Sequence, residues 1–296
     1  MKTAAKKQTS DRIVIRSQGR EIWRRLTKNK GAMIGLAIII ILTILAWTVD
    51  LFIDYDTQIA AIDGSHRFVA PCAEYPFGTD NMGRNLFTRV IYGTKYSLLI
   101  GVAGTVFACV VGIFLGLMAG YYGGIVDDII MRIIDIIQAI PAVMMGIVIV
   151  SALGASMLNL IIAIGIAGVP YLTRITRAAV LTVKNQEYIE AARAVGLSKS
   201  AIMLRHILPN CVSPILVAMT MQVAQVILAA SSLSFLGLGV PVPSPEWGSL
   251  LSAGRASIAS HPYLCLYPGI AIVIAVLAFN LFGDGFRDAL DPKLRK

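Results

Sequence analysis

The chain has 296 residues, of which 56% are hydrophobic and only 15% charged. A single soluble domain carries about a quarter charged residues, so this balance excludes one and indicates an all-α polytopic membrane protein. The net charge of +9 does not indicate nucleic acid: the basic residues flank apolar runs and lack the interleaved aromatics of a base-stacking platform, so membrane orientation explains them better.

Residues 1–32 form a basic N-terminal segment expected to stay in the cytoplasm. It lacks a short apolar core followed by a small-residue cleavage site, so no removable signal peptide is predicted. Ile22, Trp23 and Leu26, set among Arg20, Arg24, Arg25 and Lys28, fit an interfacial helix on anionic membrane lipid, and residues up to Ser17 read as a disordered tail. The first span is predicted at 33–53, with Asp50, Asp54 and Asp56 marking the outer side. An extracytoplasmic segment follows at 54–95, in which Asp80 is expected to cap the helix that leads into the second span.

The remaining residues, 96–296, hold five further spans. The second, at 96–119, carries Gly101, Gly104, Gly112 and Gly116, which allow helix backbones to approach. After a Tyr-Tyr-Gly-Gly turn, the third, at 129–153, opens with Asp128, Arg132 and Asp135 on one face and is kinked at Pro141. The fourth, at 158–172, extends toward Thr176, and the fifth and sixth lie at 214–236 and 264–282, ahead of a basic end at 287–296. Between the fourth and fifth is a polar loop, 174–210, whose part 187–210 has the makings of two short helices, one ended by Gly196 and one running from Ser198 to a stop at Pro209. With the N-terminus inside, 21 of the 26 basic residues fall on the cytoplasmic side. That bias places both termini and the polar loop in the cytoplasm.

The loop reads Glu190-Ala191-Ala192, three residues, Gly196, nine residues, His206, one residue, Leu208-Pro209. It resembles the cytoplasmic signature of the membrane subunits of binding-protein-dependent ABC importers, and only His206, where the pattern has Ile, departs from it. The resemblance implies that Glu190, Ala191, Ala192, Gly196, Leu208 and Pro209 form a coupling element that fits a groove on an ATPase subunit. The chemistry agrees: small alanines allow close approach, Glu190 can meet a cation or a helix N-terminus, and Gly196 permits a sharp turn.

The resemblance narrows to the C-type permease subunit of dipeptide and oligopeptide importers. It is carried by FGTDNMGRNLFTRVIYGTKYSLLIG, YYGGIVDDIIMRIIDIIQAIP, RHILPN and SFLGLGVPVPSPEWGSLL, and covers nearly the whole chain. It implies a type I ABC importer permease fold of six transmembrane helices, with 96–296 as the permease core, in a prokaryotic cell membrane. Implied partners are a sister permease, two ATPase subunits that hold ATP and Mg, and an extracytoplasmic substrate-binding protein. The chain itself would be non-catalytic and without a cofactor. The same subfamily includes importers of nickel, glutathione and antimicrobial peptides.

Ionisable groups in a span are costly and face a cavity or one another, so Arg132 and Asp135 are candidates for the pathway or a gate. A self-satisfied pair is expected for Asp128 with Arg132. Asp80, Gly83 and Arg84 match the family's G-T-D-x-x-G-R motif, with a capping and packing role expected. Glu246 and Trp247 are candidates for an outer gate or for contact with the binding protein, with an interfacial Trp anchor as the alternative. An ion-coupled secondary transporter would need interrupted helices with ionisable groups at mid-membrane, whereas here they are expected only near span ends. An intramembrane enzyme would need a nucleophile and base or a metal pair, yet His66, His206 and His261 are isolated and Cys72, Cys109, Cys211 and Cys265 are scattered, with no metal site or disulfide expected. The chain contains no G-x-x-x-x-G-K-[ST] phosphate loop.

Overall fold

A long apolar segment can satisfy its backbone inside a bilayer by becoming a helix, and this chain does so throughout. The computed structural model describes residues 18–290. Among them the α-helices run α1 (Gln18–Leu26), α2 (Lys30–Phe52), α3 (Leu86–Tyr122), α4 (Gly124–Ala139), α5 (Ala142–Leu153), α6 (Met157–Val183), α7 (Glu187–Ala194), α8 (Lys199–Ala201), α9 (Leu208–Leu233), α10 (Trp247–Gly254) and α11 (Tyr263–Leu290). Five rods are long and apolar enough to cross a membrane: α2, α3, α6, the continuous stretch Lys199–Leu238 that contains α8 and α9, and α11. The pair α4 and α5 makes a sixth if counted as one bent span.

That bent span corrects the expected kink. The two helices meet at 88°, a full break. Pro141 pushes the residue before it out of the helical region, and Ile140 duly sits at φ −92, ψ 125.

Two further boundaries move for identifiable reasons. Helix α3 starts well before residue 96 because Asn85, not Asp80, caps it, its Oδ1 accepting the Phe87 amide at 2.9 Å. Asp80 instead closes a buried turn: Oδ1 accepts the amides of Met82 and Arg84 at 2.8 and 3.0 Å, and Oδ2 takes the Arg84 guanidinium at 2.7 Å. The packing role expected of this motif is therefore seen, on a different element. Helix α6 runs to Val183, so Arg174 and Arg177 lie inside it and the polar loop begins only after that residue.

In lipid, a buried Leu gains little over one facing acyl chains, so close contact is what holds helices together. Helices α3, α6 and α9 supply it. At Gly116 a Cβ would stand 2.6 Å from the Thr173 carbonyl of α6, so only glycine permits this approach. Around that contact, Ala108, Leu117, Val169, Leu172, Val180 and Ile215 form one buried cluster.

At the start of the described residues, Ile22 and Leu26 of α1 pack on Phe282, Phe286 and Ala289 of α11, while Trp23 stays exposed. The tail expected up to Ser17 lies outside the described residues, as do residues 291–296 of the basic end. At the opposite end of the bundle, Tyr92 donates to Asp50 at 2.6 Å, Lys95 pairs with the same carboxylate, and the buried Arg89 donates to the Ile59 and Pro243 carbonyls at 2.6 and 3.3 Å. These bonds tie three chain segments together outside the apolar stretch.

Candidate functional site

Helix α7 opens with two acidic residues, Glu187 and Glu190, in its first turn, where they complement the helix dipole. Ile189 and Ala192, three apart, turn inward against Ile202, Met203 and Ile207. Glu190, Ala191, Arg193 and Ala194 are left on the exposed side, followed by Val195 at 81% exposure. The helix stops in a Schellman arrangement: the Gly196 amide donates to Arg193 at 2.9 Å and the Leu197 amide reaches back to Ala192 at 3.2 Å. Gly196 sits at φ +85, the left-handed region that disfavours a side chain.

Ser198 restarts the chain by accepting the Ala201 amide at 3.3 Å. The expected stop at Pro209 does not occur. A wide turn over Ile202–Ile207 precedes it, with Leu208 donating to Met203, five residues back, so the missing Pro209 donor is absorbed and the helix continues into α9. Pro209 is exposed, Leu208 half-buried, and the His206 carbonyl accepts the Asn210 amide side chain at 2.6 Å. Of the six predicted coupling residues, Glu190, Ala191, Gly196 and Pro209 are thus exposed, whereas Ala192 faces the core and fixes how α7 sits.

The platform under α7 is the α3–α4 turn. The Arg193 guanidinium lies 5.8 Å from the ring centre of Tyr121, and the Lys199 ammonium 5.6 Å from that of Tyr122. Lys184 donates to the Gly120 carbonyl at 2.8 Å. Next along, α4 is fastened to α6. Arg177 grips Asp127 with two bonds of 2.5 Å, and Arg174 meets Asp135 at 2.6 Å.

The two ion pairs differ in kind. Asp127 and Arg177 are 15% and 31% exposed, and a doubly bonded, half-buried pair holds strongly, at roughly 1.5–3 kcal/mol. Asp135 and Arg174 are 51% and 45% exposed, and such a pair contributes about 0–1 kcal/mol. The expected Asp128 and Arg132 pair does not form: both side chains are exposed and neither makes an ion pair among the described residues. Their helix turns its carboxylates at 127 and 135 toward α6 instead.

Glu246 and Trp247 are at the other end and are almost wholly buried, each 1% exposed. Glu246 caps α10, accepting the Gly248 and Ser249 amides at 2.9 Å each. Trp247 donates from Nε1 to the Val90 carbonyl at 2.9 Å, and this burial rules out the interfacial anchor. The structure therefore separates two regions: a platform of α7, the α3–α4 turn and the α4–α6 pairs at one end, and the buried Glu246 and Trp247 at the other.

The sequence pattern of the family described as binding-protein-dependent transport system inner membrane component matches residues 112–296, which include α7 and its platform. The chain belongs to this family. A second pattern, the N-terminal transmembrane domain of oligopeptide transport permease C, matches residues 17–71. Among relatives, the dipeptide transport system permease protein DppC of Alkalihalophilus pseudofirmus is 43% identical, over 96% of this chain and 93% of its own length. The glutathione transport system permease protein GsiD of Pectobacterium atrosepticum is 39% identical, over 95% and 93%. Inward-facing conformations of the MetNI methionine ABC transporter superpose with a TM-score of 0.56 at 18% identity, over 69% of this chain and 97% of theirs. The fold is that of a type I ABC importer permease.

As a permease of this family, the chain is a multi-pass inner-membrane protein of a bacterial ABC importer, a class that works with ATPase and substrate-binding subunits. The permease's platform was only partly visible in the sequence. Sequence reasoning missed Tyr121, Tyr122, Lys184, Asp127 and Arg177 as a set, because each meets a partner distant in the sequence.

Proposed function

We propose that this chain, paired with a sister permease, forms the pathway by which an ATP-driven importer takes up dipeptides or short oligopeptides. The exposed Glu190 and Ala191 edge of α7, ended at Gly196 and seated on Tyr121, supports a docking role toward an ATPase subunit. This single arrangement carries the mechanistic reading, because an ordinary connector has no need of a braced, outward-facing helix. The excess of basic residues at the same end supports placing it, with both termini, in the cytoplasm. ATP and Mg would be held by the two partner ATPases, this chain contributing no catalytic group and no cofactor, and a binding protein would deliver cargo at the outer end near Glu246 and Trp247.

The dipeptide reading of the cargo rests on relatives named as dipeptide permeases at 43% and 39% identity. A second reading, glutathione, is supported by relatives of that name at up to 41% identity. Both cargoes carry a free ammonium and carboxylate on a peptide frame, so one pathway chemistry serves either.

Reconstitution decides the mechanism. Proteoliposomes holding this chain, its sister and the ATPases are expected to accumulate alanyl-alanine only with ATP and a loaded binding protein. Uptake by the permeases alone, driven by an ion gradient, would refute the reading. Calorimetry of the cognate binding protein with dipeptides and with glutathione separates the two cargoes.

A further inference from the structure

Exposed faces of these helices differ in how many polar groups they carry. On α11 the exposed residues include Leu266, Val273 and Leu277, which suit acyl chains. Helix α6 exposes Tyr171, Arg174 and Thr182, and α4 exposes Asp128, Arg132 and Asp135 beside Ile129, Ile133 and Ile136. The two faces are joined where Arg174 meets Asp135 at 2.6 Å. Asp135 lies inside the α4–α5 segment that counts as one bent span, where a charged group faces water or protein rather than lipid.

Resting on the importer reading above, we propose that Asp135 and Arg174 are a binding station for the charged termini of a zwitterionic peptide. The carboxylate of Asp135 takes the substrate ammonium, and the guanidinium of Arg174 takes the substrate carboxylate, bidentately where geometry allows. Charge complementarity singles out this occupant, because the station offers one group of each sign side by side. Two extended residues span about 7 Å, so a dipeptide bridges the two side chains only after they part. The pair is built for that: it is half exposed on both sides, while the neighbouring Asp127 and Arg177 pair, with twofold bonding and less exposure, keeps α4 fastened to α6. Opening the station for cargo therefore leaves the helix contact in place.

The test uses the complete assembly with the double variant Asp135→Asn and Arg174→Gln, which leaves no unpaired charge behind. Alanyl-alanine uptake is expected to fall by about tenfold or more, the loss that follows from removing two charge-assisted contacts, while binding-protein-stimulated ATP hydrolysis stays within about twofold. Uptake unchanged, or uptake and hydrolysis falling together, would overturn the proposal, the latter by showing that the pair only holds the helices. In a second arm, Arg174→Cys in a background without the native cysteines is expected to react with a charged, membrane-impermeant thiol reagent, and alanyl-alanine with its binding protein to slow that reaction. No reaction with or without ATP would overturn the proposal, by showing that lipid or the sister subunit covers the face. A wild-type assembly that hydrolyses ATP yet moves no dipeptide overturns the cargo reading and the station with it, which separates that failure from one confined to the variants.

Discussion

Arg193 of α7 holds its guanidinium 5.8 Å from the ring centre of Tyr121, in the last turn of α3. This contact joins the exposed α7 to the α3–α4 turn, and α4 in turn is fastened to α6 and ends at the break before Pro141. If α7 docks an ATPase as proposed, a push on it would reach α4 by this route.

Removing the ring tests that route. Tyr121→Ala deletes a cation–π contact worth ~0.5–1 kcal/mol and part of the packing under α7, so more ATP is expected to be hydrolysed per dipeptide taken up. Tyr121→Phe keeps the ring and should match wild type. Equal coupling ratios in Ala, Phe and wild type would show that the contact passes nothing on.

Gly196 is limited by conformation and not by room, since nothing stands within 4 Å of where its Cβ would be. Holding an alanine at φ +85 costs about 1–2 kcal/mol. Gly196→Ala and Gly196→Asp are therefore both expected to weaken co-purification of the ATPase while membrane insertion stays intact, with Gly196→Asn the mildest. A large gap between Ala and Asp, with Ala harmless, would point to side-chain chemistry instead of backbone strain.

The two α4–α6 ion pairs should separate in double-mutant cycles read by thermal unfolding of the assembled complex. A coupling of roughly 1.5–3 kcal/mol is expected for Asp127 with Arg177, and about 0–1 kcal/mol for Asp135 with Arg174. Equal couplings would remove the distinction between a fastening and an opening pair.

Glu246→Ala removes the cap of α10 and leaves the Gly248 and Ser249 amides buried without an acceptor. A loss of ~1–2 kcal/mol in stability is expected, with ATPase co-purification unchanged because α10 is at the far end of the bundle. Weakened ATPase association in a stably folded variant would place Glu246 in the coupling route.

The apolar runs made the long helices legible, and the run from Glu187 to Gly196 made the short helix α7 and its glycine stop legible, because both depend on local pattern. What stayed hidden depends on partners distant in sequence. Arg174 and Arg177 read as loop residues until Asp135 and Asp127 were seen opposite them, and Asp80 read as a helix cap until Arg84 was seen to claim it. Pro209 read as a stop because a lost hydrogen bond ends most helices, whereas here a wide turn absorbs it. Trp247 read as a gate or binding-protein contact, or else as an interfacial anchor, because its burial depends on α3, more than a hundred residues earlier in the chain.

The coupling role proposed for α7 requires that its exposed face transmit ATPase work. The most direct measurement is ATP-driven dipeptide uptake by proteoliposomes holding the complete assembly with Glu190→Lys in place of the wild-type chain. Uptake is expected to fall by about tenfold or more, the size of an ordinary coupling free energy, with the variant still inserted and paired with its sister. Wild-type uptake and ATPase binding in Glu190→Lys would contradict a coupling role for α7.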